Sequence, residues 1–308
     1  MDKSEATLER MRTFVRVAER ASLSAVAREL RIGQSTVTRH LHELETALGV
    51  RLLSRTTRRV SLTEEGSLYY DRAIQILNLV DEAADEARAG TNAAAGRVRI
   101  SCTAAFGIRH VSRLVHAFQD QYPDIAVDLS LNDERIDLVQ HGVDMAIRLG
   151  PLSDSSMKLR RLGLSRRILV AAPSYLAARG RPRVPQDIAR HEGVRMSNIA
   201  GSDFLTLRKA DGQVERVAFA GRLRVDHGLA AREAFLAGRG LGPAHLWLVD
   251  DALADGRLER ILAEWLPEPV PLSLLIVPHR ATILRVRLLA EMLTREIQRL
   301  SGIVNDKI

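Results

Sequence analysis

The stretch GQSTVTRHLHELE, residues 33–45, opens with small hydroxyl residues and an arginine and carries its leucines only afterwards. Val37, Leu41, Leu44 and Leu48 fall at i, i+4, i+7 and i+11, the buried row of an amphipathic helix. Gly49 follows as the residue that ends it. The opposite face carries Ser35, Arg39, His42 and Thr46, with Gln34, Thr36 and Thr38 beside them. Upstream, ASLSAVAREL (21–30) predicts another helix, with Ser22 or Ser24 as its cap and Leu23, Val26, Ala27 and Leu30 as its stripe. A first helix over Leu8–Glu19 puts Met11, Phe14, Val15 and Ala18 on one face. Only the short turn Arg31–Gly33 separates the second and third helices. Two helices so joined present the front of the second to the DNA major groove. Base edges there are read by forked or short polar side chains. A polar helix face turned to water gives the same pattern, so the neighbouring sequence has to decide.

It does so in VRLLSRTTRRVSLT (50–63), where Arg55, Arg58 and Arg59 surround Thr56 and Thr57 between two β-prone runs. This predicts a two-stranded wing whose basic turn meets phosphates or a minor groove. Charge agrees. The first 60 residues hold 12 Lys+Arg against 7 Asp+Glu, and the rest of the chain 33 against 31, so most of the net +7 sits in the first fifth. A basic module on a nearly neutral body suits a polyanion. One cysteine, Cys102, excludes an intrachain disulfide framework and a multi-cysteine metal site. The N-terminal decapeptide has no apolar signal core, and no apolar run reaches 18 residues. The expected location is the cytoplasm, with no membrane partner.

Residues 14–66 resemble the winged helix-turn-helix of LysR-type transcriptional regulators. The resemblance rests on Ser22 and Ser24, Gln34, Thr38-Arg39, Leu44-Glu45, Leu48-Gly49, the run Leu52-Leu53-Ser54-Arg55-Thr56, and Leu62-Thr63-Glu64-Glu65-Gly66. Three positions depart from the family pattern: Leu53 replaces a usual phenylalanine, Val26 enters an Ala-Ala pair, and Gly33 takes a common serine cap. All are packing or capping changes. The resemblance implies a bacterial regulator of transcription. In it Arg31, Arg55, Arg58 and Arg59 contact phosphate, Gln34, Ser35, Thr38 and Arg39 read base edges, and Thr36, His42, Thr56 and Thr57 lie in the same interface.

Thr63 can cap a helix with Glu64 and Glu65 in its first turn. From there Tyr69, Ala73, Ile76, Val80, Ala83 and Ala87 alternate by four and three, the spacing of a coiled-coil seam. Such a seam packs either on its own domain or on a second chain. In LysR-type proteins this helix dimerises, which implies a homodimer or a dimer of dimers. GTNAAAG (90–96) reads as a hinge.

Beyond Arg97, short apolar strands alternate with helices: RVRISC, a helix around Val111–Tyr122, IAVDLSL, a helix over Ile136–His141, and DMAIRL. This βαβαβ run predicts a parallel sheet with ligand loops at the strand C-ends. RILVAAP, FAGRLRVD with a helix at Leu229–Ala237, PLSLLIVP and a helix over Arg285–Leu300 continue the pattern. FQDQYPDIAVDL, DLVQHGVDMAIRLG, RRLG, AAPSYLAARGRP and GRLRV resemble the LysR effector region. The implied fold class is α/β with an N-terminal all-α winged helix-turn-helix. A long linker helix leads to a bilobal effector domain of two α/β subdomains, like a periplasmic binding protein. The expected boundaries are 1–64 for the DNA-binding domain, 65–91 for the linker helix and hinge, and 92–302 for the effector domain. Its first subdomain is 92–164 with 269–302, and its second is 165–268.

By position at the strand mouths, the effector candidates are Cys102, Thr103, Ala104, Asn132, Arg148, Met196, Asp226 and His227. Thr103 and the following helix can donate to a carboxylate, and Arg109, Arg148 and His227 add charge, which suits a small anionic effector. Cys102 is either a redox-sensitive thiol in an exposed loop or a small core residue. GRGLG (238–242) is followed by Pro243 and fails the dinucleotide pattern, so it reads as a helix end and turn. Ala244-His245 stands where the family usually has Leu-Pro. His40 and His42, at i, i+2, do not make a helical metal pair. The reading is a promoter-binding regulator of double-stranded DNA, tuned by a small molecule, with no enzymatic activity, cofactor or metal. Two alternatives use the same sequence: a bilobal small-molecule-binding protein or enzyme without a DNA role, and a nonspecific DNA-architectural protein. The first lacks a nucleophile–base pair or cofactor loop in the sequence, and the second has no use for a 200-residue sensor.

Overall fold

Thr7 opens the first helix, α1 (Leu8–Arg20), by accepting the Arg10 N–H. Ser22 opens α2 (Leu23–Leu30) by accepting from Ala25 N, which decides between the two candidate caps. Gly33 opens α3 (Gln34–Leu48) with no capping side chain, and Gly49 closes it at φ 72°. The computed structural model describes residues 7–56, 59–89, 94–133, 142–152, 157–199 and 201–304. Two compact units divide it near Ala93.

The first unit closes its core with Phe14, Val15 and Val17 of α1, Val26 and Ala27 of α2, and Val37, Leu41 and Leu44 of α3. The expected row stops at Leu44. Leu48 is exposed in the last turn, and His40 is buried instead. Thr13 donates its hydroxyl to the Glu9 carbonyl at 2.9 Å and so accepts from His40 Nδ1 at 3.0 Å. The wing follows as an antiparallel pair, β1 (Leu53–Thr56) and β2 (Arg59–Leu62), in register Leu53↔Leu62.

Three motif residues fasten this wing. The Glu45 carboxylate accepts from Leu52 N at 2.8 Å and Leu53 N at 3.1 Å. Thr63 donates to the Arg51 carbonyl at 2.7 Å and caps the next helix, α4 (Glu64–Ala89), by accepting from Gly66 N at 2.9 Å. Gly66 lies so close to the chain that a Cβ there would sit 1.9 Å from the Leu52 carbonyl oxygen. The sequence pattern at 44–45 and 62–66 is therefore architectural.

Helix α4 has 26 residues, a length of about 39 Å. The exposed row of α4 keeps Ile76 and Ala83 of the expected seam but not Tyr69 and Ala73. Ala73 and Leu77 are buried, and Tyr69 and Tyr70 pack on Phe14 at centroid distances of 5.6 and 6.5 Å. The apolar residues left outside are Leu68, Ile76 and Leu79, with Arg72 and Ala83 on the same row. The start of the helix is too close to its own core for Tyr69 and Ala73 to serve a partner. The side chain of Ala87 and the hinge residues 90–93 lie outside the described residues.

The second unit holds a six-stranded sheet in the order β16-β6-β15-β5-β3-β4. Its strands are β3 (Gly96–Cys102), β4 (Ile125–Leu131), β5 (Met145–Leu149), β6 (Lys158–Ser165), β15 (Val270–Ile276) and β16 (Ile303–Val304). β3 pairs in parallel with β4 and β5, whereas β15 runs antiparallel to both β5 and β6. The sheet is thus mixed rather than parallel, because β15 arrives from the far lobe instead of from a crossover helix. Ala104–Phe106 (α5), a π turn Gly107–Val111 and α6 (Ser112–Gln121) run on from β3 as one helical stretch. The helix expected at 136–141 lies outside the described residues.

Arg166 alone joins β6 to β7 (Arg167–Ala171), where the chain enters a second sheet. There β7 lies between β12 (Leu241–His245) and β13 (Glu259–Ile261). A parallel bridge Gly193–Leu241 connects them to the pair β8 (Val194–Met196) and β11 (Leu223–Val225). The sequence reading did not anticipate the hairpin β9 (Phe204–Arg208) and β10 (Val214–Ala218), edged by β14 (Leu266–Pro267). Helices α7 (Pro173–Arg179), α8 (Gly228–Leu236), α9 (Leu246–Ala254) and α10 (Leu284–Ile297) complete the unit. No described helix is long and apolar enough to cross a membrane.

The Gly66 contact yields a stability test. Gly66→Ala is expected to destabilise the first unit by about 1–3 kcal/mol through overpacking, while the exposed Ser67→Ala shifts it by less than about 0.5 kcal/mol. Urea titration of both variants checks this, and equal midpoints would count against the contact.

Candidate nucleic-acid interface and effector cleft

On α3 the side chains of Gln34, Ser35, Thr38, Arg39, His42 and Thr46 are all exposed, as is Arg31, and Thr36 is half-buried. Arg31 ends α2 in the left-handed region, at φ 55°, which is costly for a residue with a Cβ and is retained in the turn leading to α3. Thr38 donates back to the Gln34 carbonyl at 3.0 Å, which orients its methyl and hydroxyl along the face. Between α3 and β1 runs a groove of about 600 Å3 lined by Thr38, His42, Thr46 and Arg51 among others. Exposed Arg51 was missed from the sequence, although it lies in the same basic run as the wing arginines. The side chains of Arg55, Thr56, Thr57, Arg58 and Arg59 lie outside the described residues. The two histidines part company: His40 faces α1, and His42 faces the groove.

In the second unit the ends of β3 and β4 meet the start of α8. Asn132 N donates to the Cys102 carbonyl at 2.9 Å, and Ala104 N donates to the Asp133 carboxylate at 2.8 Å. The other Asp133 oxygen stands 3.7 Å from His227 Nε2, and His227 Nδ1 caps α8 by accepting from Leu229 N at 3.2 Å. Asn198 donates to the Asp226 carbonyl at 2.9 Å. Thr103, Ala104, Asn132, Asp226 and His227 are thus brought together, with Asp133 and Asn198 among them. The last two were not anticipated. Asp133 directly follows a predicted strand-mouth residue and could have been nominated by that argument.

The remaining candidates are placed differently. Cys102 is fully buried at the end of β3, and burial pushes its thiol up to about 12, so it is a core residue and not an exposed-loop thiol. Arg148 is buried beneath it and donates to Ser101 Oγ at 2.8 Å and to the Ile147 carbonyl at 3.3 Å. Met196 lines a separate cavity within the second lobe. Arg109, a proposed source of charge, is paired with Asp251 at 2.8 Å and Asp250 at 3.6 Å.

That pairing belongs to a contact between lobes. Phe106 meets Trp247 edge-on at 4.9 Å, and His110 Nε2 donates to the Trp247 carbonyl at 3.0 Å. Burial alone would raise Asp251, but Arg109 and Arg232 outweigh it and hold the carboxyl below its usual range. At the crossover, Trp247 Nε1 donates to Ser165 Oγ at 2.8 Å, and Ser165 Oγ lies 2.7 Å from His245 Nδ1. An indole N–H only donates, so Ser165 Oγ accepts from Trp247 and shares a second hydrogen bond with the ring of His245, the departure noted in the sequence.

Family comparison places this geometry. Residues 8–67 match the model for the bacterial regulatory helix-turn-helix protein of the lysR family, and residues 91–298 match the LysR substrate binding domain. The chain belongs to the LysR family of transcriptional regulators. Among curated LysR relatives, the regulator CrgA of Neisseria meningitidis is 31% identical over 290 residues, covering 94% of this chain and 96% of that protein. The transcriptional activator AaeR of Escherichia coli is 31% identical over 287 residues, covering 93% of each. Among solved structures, full-length AphB of Vibrio cholerae superposes with a TM-score of 0.65 at 27% identity, covering 93% of this chain and 98% of that one. The CrgA structure superposes with a TM-score of 0.61 at 31% identity, covering 94% and 98%. These relatives are regulators, so the readings without a DNA role are set aside. The exposed face of α3 belongs to the DNA-binding module of a LysR regulator, and the two lobes form its effector-binding domain.

The crossover gives a pH test. Burial, aided by repulsion from Arg167, lowers His245 from 6.5 to about 3. The unfolded chain therefore takes up this proton first. The contribution of His245 is complete above pH 6.5 and is lost as pH falls towards 3. His110, also lowered chiefly by burial, acts in the same direction. His245→Gln is expected to flatten the fall of stability with acidification by up to about 1.4 kcal/mol per pH unit. Denaturant titrations over a pH series measure the slope, and an unchanged slope contradicts this assignment.

Proposed function

We propose that this LysR regulator binds promoter DNA as a homo-oligomer built on a pair of α4 helices, in the bacterial cytoplasm, and responds to a small carboxylate. Residues 1–64 form the DNA-binding domain, 65–91 the linker, and 92–302 the effector domain with lobes 92–164 plus 269–302 and 165–268. Gln34, Ser35, Thr38 and Arg39 read bases. Thr36 and His42 support them, and Arg31 with the wing residues Arg55, Thr56, Thr57, Arg58 and Arg59 grips phosphates. The observation that carries the reading is the one-sided burial of α3, in which every inward position is closed by the core and every proposed base-reading side chain is exposed.

The carboxylate reading is supported by the donors at the strand mouths: the Ala104 N–H, the Thr103 hydroxyl, Asn132 and His227. An entering anion competes there with Asp133, which already accepts from Ala104 N. Arg148 contributes charge from below, Asp226 positions Asn198, and Cys102 lies in the apolar core beneath the site. Effector binding shifts DNA affinity only as far as it distinguishes two arrangements of the lobes.

Fluorescence anisotropy on a selected genomic site tests the DNA reading. Arg39→Ala and Gln34→Ala should each weaken specific binding by about 1–3 kcal/mol and relax preference at one base position. Log affinity should fall with log salt at about −0.9 per neutralised phosphate. Variants that bind and discriminate like the parent would refute it. For assembly, Leu79→Lys in the exposed α4 row should lower the oligomer mass in sedimentation, whereas Ala73, already buried at home, has no part in that contact.

A further inference from the structure

Glu43 lies on α3 one turn beyond Arg39, and its carboxylate reaches two arginines at once. Arg10 Nη2 of α1 stands 3.0 Å from Glu43 Oε2, and Arg39 Nε stands 4.0 Å from Glu43 Oε1. Among the described residues, Glu43 is the only acidic group within ion-pair distance of Arg39. An acid on this helix weakens its attraction to a polyanion. The helix itself gains little in return. An exposed ion pair contributes little to folding, and arginine before glutamate at i, i+4 is the weaker order.

What Glu43 contributes is geometry. Helices α1 and α3 are fixed to each other by Phe14, Val37 and Leu41 in the core and by the Thr13–His40 contact, so Arg10 projects from a rigid frame. Arg10 is half-buried and holds one oxygen of Glu43, which leaves the other turned towards Arg39. The Arg39 side chain is otherwise in water, 66% exposed, and a long free side chain loses rotamer freedom when it engages a base. A contact at Nε restricts that freedom beforehand and leaves both terminal nitrogens open. Such a planar fork is what a two-pronged contact to guanine O6 and N7 requires. We propose that Glu43, clamped by Arg10, is a positioning residue that aims Arg39 at one guanine and thereby sets base selectivity. This rests on the reading of Arg39 as a base-contacting residue.

The test is fluorescence anisotropy of the full chain on the selected site, on the same site with each base pair replaced in turn, and on a scrambled duplex. Arg39→Ala identifies the base pair that Arg39 reads. Glu43→Ala, which keeps a good helix former in α3, should lower discrimination at that same base pair by about three- to tenfold, part of what a whole bidentate contact is worth. Its affinity for the scrambled duplex should stay equal or rise, because a repelling charge is gone. Arg10→Met should lose discrimination at the same base pair although it changes the charge in the opposite direction. The double variant Glu43→Ala with Arg39→Ala should discriminate no worse than Arg39→Ala alone. If Glu43→Ala does not fold by circular dichroism, Arg10→Met decides. Three results overturn the positioning role: discrimination intact in Glu43→Ala, a loss spread evenly over all base pairs, or additive losses in the double variant. Each of these is read beside a defective Arg39→Ala and leaves the base-reading role standing. An Arg39→Ala variant that discriminates like the parent at every base pair overturns that role, and the positioning role with it.

Discussion

The DNA-binding unit depends on keeping one face of α3 dry and the other wet. Val37, Leu41 and Leu44 are withdrawn from water together, each worth about 1.5–3 kcal/mol. Their sum is comparable to the whole net stability of a small domain. The helix therefore cannot rotate about its axis to hide its polar side without losing the fold. The Thr13–His40 contact reinforces this by pinning the same face to α1 through a directional bond. Exposure of the hydroxyls and Arg39 is thus enforced by what lies behind them.

A second constraint acts where the lobes exchange strands. The first crossover is a single residue long, and beside it Ser165 serves two rings at once. Ser165 Oγ accepts from the indole N–H and shares a second hydrogen bond with the imidazole, so one hydroxyl ties Trp247 and His245 together. Trp247 in turn carries the contacts of Phe106 and His110 from the other lobe. This side of the cleft is held by packing and directional bonds, whereas the Asp133–His227 side is held by one longer polar contact.

Much of this was readable in the residues because it is local. Caps, the wing strands, the strand runs and most of the helix stripes depend on spacing within some ten positions, and they lie where the spacing put them, apart from Leu48 and the start of the α4 seam. What escaped the reading depends on long-range choices. The coiled-coil spacing of α4 is satisfied equally by Tyr69-Ala73 and by Leu68-Ile76-Leu79, and only proximity to Phe14 decides which row stays at home. The alternation of strands and helices implied a parallel sheet, but β15 enters between β5 and β6 from a distant part of the chain. Cys102 and Arg148 were placed correctly on their strands, yet strand position alone does not tell which way a terminal residue points. Asp133 was overlooked because an acidic residue in a loop carries no periodic signal.

The close approach of Gly66 to Leu52 leaves no room for a side chain between the first turn of α4 and the chain entering the wing. A tilt of that turn towards the wing would press directly on the Leu52 carbonyl, so the base of α4 and the start of β1 shift together or not at all.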